Sequence, residues 1–218
     1  VFYDLPGVYG LSGSGILEAI VKQFLLERKP DVALVLVDST NLERSLSLAI
    51  QVMEVHDNVI LALTKLDMAH DMGIHINTDG LSRALGVKVI PVSIVWGLEV
   101  KEIIEAVREA LGRRGKLLNV DYGVLEPYIE ELAADVSKLS LELNPRWVAV
   151  KLLEGDRMVE DIIARSKGIS VLEKARRARI EITSSFGRDP AAIASEHRFR
   201  YALRVARENV ARIAVQAK

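Results

Sequence analysis

This sequence offers no thiol, no membrane-spanning run and no dominant charge, and each lack removes a class of function. The 218 residues include no cysteine, which excludes a disulfide framework, a thiolate zinc site and a thiol nucleophile. Aromatic residues are only 5% of a chain that is half apolar, so the core must be built from Val, Ile, Leu and Ala. Basic and acidic residues number 29 and 30, a balance with no global pull toward nucleic acid or an anionic membrane. No apolar run approaches the roughly 18 residues of a membrane span; the longest clean ones, 32–37 and 59–63, have strand length. No signal-peptide pattern opens the chain, and a soluble, cytoplasmic piece is expected. His56, His70, His75 and His197 lack metal-ligand spacing and read as surface or loop residues. Residues 1–4 read as a strand already under way with no initiating methionine, as expected of a fragment or of a chain lacking upstream residues.

What is present falls into two halves. In the first, β-branched apolar runs at 32–37, 59–63 and 87–92 are expected as strands buried on both faces of a parallel sheet. Between them, 15–27, 41–55 and 99–111 carry apolar residues at helical spacing. Strands alternating with helices predict an α/β fold, a parallel sheet covered by helices. The polar break Gly112-Arg-Arg-Gly-Lys116 sets an expected boundary, with one domain at 1–115 and a small all-α domain at 116–218. There, helices are predicted over 122–143, 144–153, 156–164 and 171–184. A last one is predicted from Pro190 to the C-terminus.

In open parallel sheets, ligands bind at the carboxyl ends of the strands. Asp4-Leu-Pro-Gly7 follows the first predicted strand. A carboxylate there can hold Mg2+ through water, and Gly7 can offer its N–H to a terminal phosphate. Thr64-Lys-Leu-Asp67 follows the third. The Asp67 carboxylate can accept from the ring N–H and exocyclic amine of guanine, a donor pair that adenine lacks. The Lys65 stem can lie along the base plane with its ammonium near the ribose. Ser93 follows the fourth strand and can shape the base pocket. The three segments come in order, with Asp4 and Thr64 sixty residues apart. That is the arrangement of the small regulatory GTPases, a P-loop GTPase-like fold.

Within that fold, Asp4-Leu-Pro-Gly-Val-Tyr-Gly-Leu11, Lys29-Pro-Asp31, Val37-Asp-Ser-Thr-Asn-Leu-Glu-Arg44 and Leu85-Gly-Val-Lys-Val-Ile-Pro91 are distinctive stretches of the first half. In the second half Arg146-Trp-Val-Ala-Val-Lys-Leu-Leu-Glu-Gly-Asp156 is another. Together they carry a resemblance to the cytosolic part of the FeoB ferrous iron transporters. It implies a GTP- and GDP-binding domain with Mg2+, in which Asp4 and Gly7 serve metal and phosphate, Thr64, Lys65 and Asp67 the base, and Ser93 the pocket wall. It also implies attachment to the transmembrane part of the same transporter at the cytoplasmic face of the membrane. Homo-oligomerisation stays open, and no nucleic-acid partner is expected. Three departures stand out. The Gly-rich phosphate loop and the first switch are expected upstream of Val1. Thr64 replaces the more usual Asn, and Ile94 stands where Ala is common.

Two rival readings accompany this one: an RNA- or ribosome-associated GTPase, and a GTPase-fold interaction module that does not hydrolyse. Lys174-Ala-Arg-Arg-Ala-Arg179 is the one basic cluster and reads as a solvated helix face. Trp147 reads as core. Glu154-Gly155-Asp156 reads as a helix stop followed by the next helix's cap. Residues 8–15, with Gly10, Gly13, Gly15, Ser12 and Ser14, are expected to be a mobile segment that orders when phosphate engages Gly7. Val8 stands just after that glycine, where many GTPases place a water-orienting glutamine. Hydrolysis is therefore expected to be intrinsically slow.

Overall fold

The run at 59–64 becomes the centre of the sheet because it is apolar on both faces, and its neighbours follow from that. The computed structural model describes residues 1–213 apart from 13–14, 94 and 98–99. Strand β1 (Ala33–Asp38), β2 (Val59–Thr64) and β4 (Lys88–Pro91) form a parallel sheet in the order β1-β2-β4. Every residue of β2 except Thr64 is buried. Helix α2 (Leu42–Val55) packs on β1 and β2 through Leu46, Ala49, Ile50 and Met53. Helix α5 (Val100–Ala110) packs against β2 and β4. Ile103 and Ala106 there join Ile60, Ala62 and Ile90 in one buried cluster.

Both-face burial holds for β2 but not for β1. Leu34 and Leu36 are exposed while Val35 and Val37 are buried, so one face of β1 is open among the described residues. The strand expected at 1–4 is also absent: these residues join no ladder, and Val1, Phe2 and Tyr3 are exposed. A strand needs a hydrogen-bonded neighbour, and here Tyr3 meets an aromatic ring instead. It lies 5.1 Å from Phe24 of α1 (Ile16–Arg28).

Between β2 and β4 the chain adds α3 (Leu66–Asp71), β3 (Ile74–Ile76) and α4 (Thr78–Leu85), none of which the sequence pattern predicted. Helix α4 has clear local signals. The Asn77 side chain accepts from Gly80 N at 2.8 Å, and Gly86 ends the helix at φ 70°, a left-handed position suited to glycine.

The chain divides into two compact units. One holds Val1–Leu11, Ile20–Asn119 and the residues from Phe199 onward; the other holds Ser12–Ala19 and Val120–Arg198. The second unit contains α6 (Glu126–Val136), α7 (Pro145–Leu153), α8 (Arg157–Arg165), α9 (Ile169–Phe186) and the start of α10 (Pro190–Asn209). Helix α7 is its centre: Trp147 through Leu153 are all buried, and α6, α8 and α9 pack around it. Asn144 caps α7 by accepting from Trp147 N at 2.9 Å.

Two helical expectations are corrected. The helix expected over 122–143 begins as a 3-10 turn and ends at Val136. Just beyond, Ser137 Oγ donates to Ala134 O at 2.8 Å, a side-chain bond that competes with continuation. The last helix stops at Asn209, and Val210–Arg212 forms β5, antiparallel to β3. Asn209 O and Gly73 O accept from Asn77 N and Ile213 N at 2.8 Å each, so pairing with a distant strand overrides the helical pattern there. Among the described residues no helix is long and apolar enough to cross a membrane.

Candidate functional site

The carboxyl ends of β1 and β2 lie side by side, with Asp38 directly opposite Thr64 in the register. Thr64 Oγ1 donates to Val37 O at 3.3 Å, so its hydroxyl joins the two strand ends together. The next residue, Lys65, takes φ 57°, a left-handed conformation that a side-chain-bearing residue adopts at a cost of about 1–2 kcal/mol. That turn starts α3 at once: Lys65 O accepts from Ala69 N at 3.0 Å. It places Asp67 in the first helical turn.

Asp67 is met from the neighbouring strand. Ser93 Oγ, beyond the end of β4, donates to Asp67 Oδ1 at 3.1 Å, and Trp96 N donates to Ser93 Oγ at 3.4 Å. Ser93 is buried, and its hydroxyl orients the Asp67 carboxylate. Trp96 stands edge-on to His70, ring centroids 5.4 Å apart, and His70 is in turn edge-on to His75 at 4.9 Å. Ile94, the departure beside Ser93, lies outside the described residues.

Lys65 is held by a residue that sequence reasoning did not single out. Its Nζ lies 2.6 Å from Asp38 Oδ2, while Asp38 Oδ1 accepts from Thr40 N at 2.9 Å and Thr40 Oγ1 at 2.6 Å. Burial pushes the Asp38 carboxyl up, but the hydrogen bonds from Lys65 and Thr40 outweigh it and hold it below its usual range. The same bond holds the Lys65 ammonium above its usual range. The available signal was position: Asp38 ends the strand next to the one that Thr64 ends.

Asp4 and Gly7 stand apart from this group. Both are exposed, and among the described residues no hydrogen bond or ion pair joins Asp4 to Asp67, Lys65 or Ser93. A Cβ built on Gly7 would meet no atom within 4 Å, so its backbone is open to close approach. A lone exposed carboxylate suits Mg2+, which keeps much of its water and takes ligands from phosphate. Among the described residues no group of three or more His, Asp or Glu could hold a metal by itself.

The segment after Gly7 is fastened more firmly than expected. Tyr9 lies under the Arg44 guanidinium, 4.1 Å from ring centroid to carbon. Leu11 is buried, and its N–H donates to Gln51 Oε1 at 2.8 Å. Ser12 Oγ accepts from Lys151 Nζ at 2.9 Å and lies 3.3 Å from Glu154 Oε2. Gly13 and Ser14 of this segment lie outside the described residues. Any rearrangement of 8–15 therefore has to act on the bonds at Leu11 and Ser12.

In the second unit Gly155 takes φ 71° and Asp156 accepts from Val159 N at 3.3 Å, so they stop one helix and cap the next. Glu154 is the C-cap of α7 and also the middle of a buried ionic group, bonded to Lys151 Nζ at 2.6 Å and to Arg198 Nη1. In the basic cluster, Lys174 is taken by Glu131 and Asp135, and Arg179 by Glu160 and Leu152 O. That engagement weighs against a nucleic-acid surface built on those two residues.

Comparison with known proteins extends this picture. The family described as ferrous iron transport protein B matches residues 1–107, and the FeoB cytosolic helical domain matches residues 122–211. A Porphyromonas gingivalis Fe(2+) transport protein A/Fe(2+) transporter FeoB fusion protein is 32% identical over 207 residues, covering 90% of this chain and 24% of its own length. A Methanocaldococcus jannaschii Fe(2+) transporter FeoB is 35% identical, covering 88% of this chain and 29% of its own. The chain thus spans about a quarter of these relatives. The cytosolic domain of the T. maritima FeoB iron transporter in its GMPPNP form superposes with a TM-score of 0.79 at 28% identity, covering 95% of this chain and 79% of that one. An S. thermophilus NFeoB variant bound to GDP gives 0.79 at 26%, covering 95% and 80%.

Proposed function

Because the chain belongs to the FeoB family of ferrous iron transport proteins, with that family's GTPase-like domain followed by its cytosolic helical domain, we propose that it is a guanine-nucleotide switch. In this reading it binds GTP and GDP, hydrolyses GTP slowly, and regulates Fe2+ uptake. It does so at the cytoplasmic face of a membrane, as part of a longer transporter whose membrane-spanning portion is its partner. Homo-oligomerisation is compatible with that arrangement. The two domains in this reading are 1–115 and 116–218, which is supported by family matches that end at 107 and resume at 122.

One observation carries the reading: Asp67 stands at the tips of β2 and β4 with its carboxylate fixed by Ser93 Oγ at 3.1 Å. One oxygen is oriented by Ser93, leaving acceptor capacity for the N1–H and 2-amino group of guanine. Adenine presents no such pair, and a carboxylate left facing it unpaired disfavours the wrong base. Lys65 lies along the base, Thr64 holds the strand tips together, and Gly7 N–H meets the terminal phosphate. Mg2+ supplies charge neutralisation at the phosphates when bound, with Asp4 holding it through water.

The test is a change of base preference. In the intact protein, Asp67→Asn should weaken GDP at least about a hundredfold and strengthen xanthosine diphosphate, whose 2-carbonyl accepts from the new amide; the change corresponds to about 2.7 kcal/mol or more. Competition of the two nucleotides against a fluorescent GDP reads both limbs. GDP affinity left unchanged in Asp67→Asn removes the support for this site.

A further inference from the structure

The group around Asp67 contains one charged contact that the base-reading role does not use, between Asp38 and Lys65. We propose that Asp38 is a positioning residue of the base site, acting through Lys65; the proposal rests on the reading of Thr64–Asp67 as the guanine-recognising segment. Lys65 has four rotatable bonds and a strongly hydrated ammonium, so left alone it samples many positions over the mouth of the site. Asp38 removes that freedom. Its Oδ2 takes the ammonium at 2.6 Å, and its Oδ1 is pinned by Thr40 N and Oγ1. The carboxylate therefore cannot swing to follow Lys65 elsewhere.

The geometry ties this contact to the base-reading carboxylate through the backbone. Asp38 is the last residue of β1 and faces Thr64, the last residue of β2. Lys65 follows in the left-handed conformation at φ 57°. That conformation persists in a non-glycine residue only where its surroundings hold it. Here the side chain is held by Asp38, and the carbonyl by Ala69 N at 3.0 Å. Two residues on stands Asp67, braced by Ser93 from β4. Asp38, Lys65, Asp67 and Ser93 thus form one braced arc across three strand tips. Loosening its first member frees both the ammonium near the ribose and the turn that aims Asp67.

The pair is substantially exposed, 52% for the Lys65 side chain and 31% for Asp38. Exposed pairs add little to folding stability, so removing this one should be felt in binding more than in the fold. In the intact protein, Asp38→Asn is expected to weaken GDP about tenfold, while the melting midpoint stays within about 2 °C. Lys65→Met should weaken GDP at least as much, and the double variant should be no weaker than Lys65→Met alone, because Asp38 acts only through Lys65. Asp38→Glu, which keeps the charge, should recover part of the loss.

GDP affinity within twofold of the parent in Asp38→Asn overturns the proposal, as does a double variant whose losses multiply. Should Asp38→Asn lower the melting midpoint by more than a few degrees, Thr40→Val reads the same role by removing the hydroxyl that pins Oδ1. It should weaken GDP about two- to fourfold, and no loss there overturns the proposal. The Asp67→Asn base switch, run alongside, separates the two readings. If it succeeds while Asp38→Asn is silent, only the positioning role fails; if Asp67→Asn itself is silent, the base site and this proposal fail together.

Discussion

Two lysine–carboxylate contacts in this protein have the same length and opposite meaning. Lys65 meets Asp38 at 2.6 Å at the tips of the sheet, both partly in reach of solvent. Lys151 meets Glu154 at 2.6 Å inside the helical unit, with side chains 1% and 5% exposed and Arg198 closing the other side. Water screens the first, so it adds little to stability. The second has lost its water, and its charges depend on one another. Equal contact length therefore does not say how much a pair stabilises the fold; burial decides that.

The largest test of that difference is Glu154→Ala. It leaves Lys151 and Arg198 buried without their shared carboxylate, and a loss of about 3–5 kcal/mol in unfolding free energy is expected. Urea titration of the helical unit's transition measures it. A loss under about 1 kcal/mol would mean that the buried group behaves like the exposed pair, and the contrast would collapse.

Acid should have a smaller effect of the same origin, because protonation leaves the carboxyl in place as a hydrogen-bonding partner. Burial pushes Glu154 up, but Lys151 and Arg198 overcome it and hold its carboxyl at about 2, against 4.5 for an ordinary glutamate. A carboxyl whose pKa is lower folded than unfolded stabilises the fold fully above the unfolded value. That contribution fades as pH falls from about 4.5 through about 2. Stability measured between pH 6 and pH 2.5 should show this acid limb, and Glu154→Gln should flatten it. An acid limb equally steep in Glu154→Gln would assign the loss to other carboxylates.

The sequence made one side of this comparison visible and hid the other. Apolar runs and the segments after them revealed the parallel sheet and brought Thr64, Lys65, Asp67 and Ser93 into view, because strand ends are local features. Burial on both faces was right for β2 and wrong for β1, since whether a face is covered depends on elements distant in sequence. Glu154 beside Gly155 looked like a helix stop because its partners are distant: Arg198 lies 44 residues on and Ser12 lies 142 residues back. The β3–β5 ladder pairs Ile76 with Val210, and no local pattern announces a pairing across that interval. Asp38 was in view as part of a motif, but its bond to Lys65 required the register of two strands.

The smallest expected effect concerns a position where the exposed site has no polar group at all. Val8 follows Gly7 in the turn and has no side-chain donor or acceptor, so it cannot align a water molecule for attack on a phosphate. Nearby, Tyr9 is engaged by Arg44, and Ser12 by Lys151 and Glu154. Neither is a free water-orienting group in this arrangement. Under the proposed function, slow hydrolysis then relies on backbone groups or on residues outside this turn. Val8→Ala should therefore change single-turnover GTP hydrolysis in the intact protein by less than about tenfold, under roughly 1.4 kcal/mol of barrier. Removing a true water-positioning side chain would cost far more. A loss near a thousandfold with GDP affinity intact would show that Val8 shapes the attack itself, and that an apolar residue in this turn does work here assigned only to polar ones.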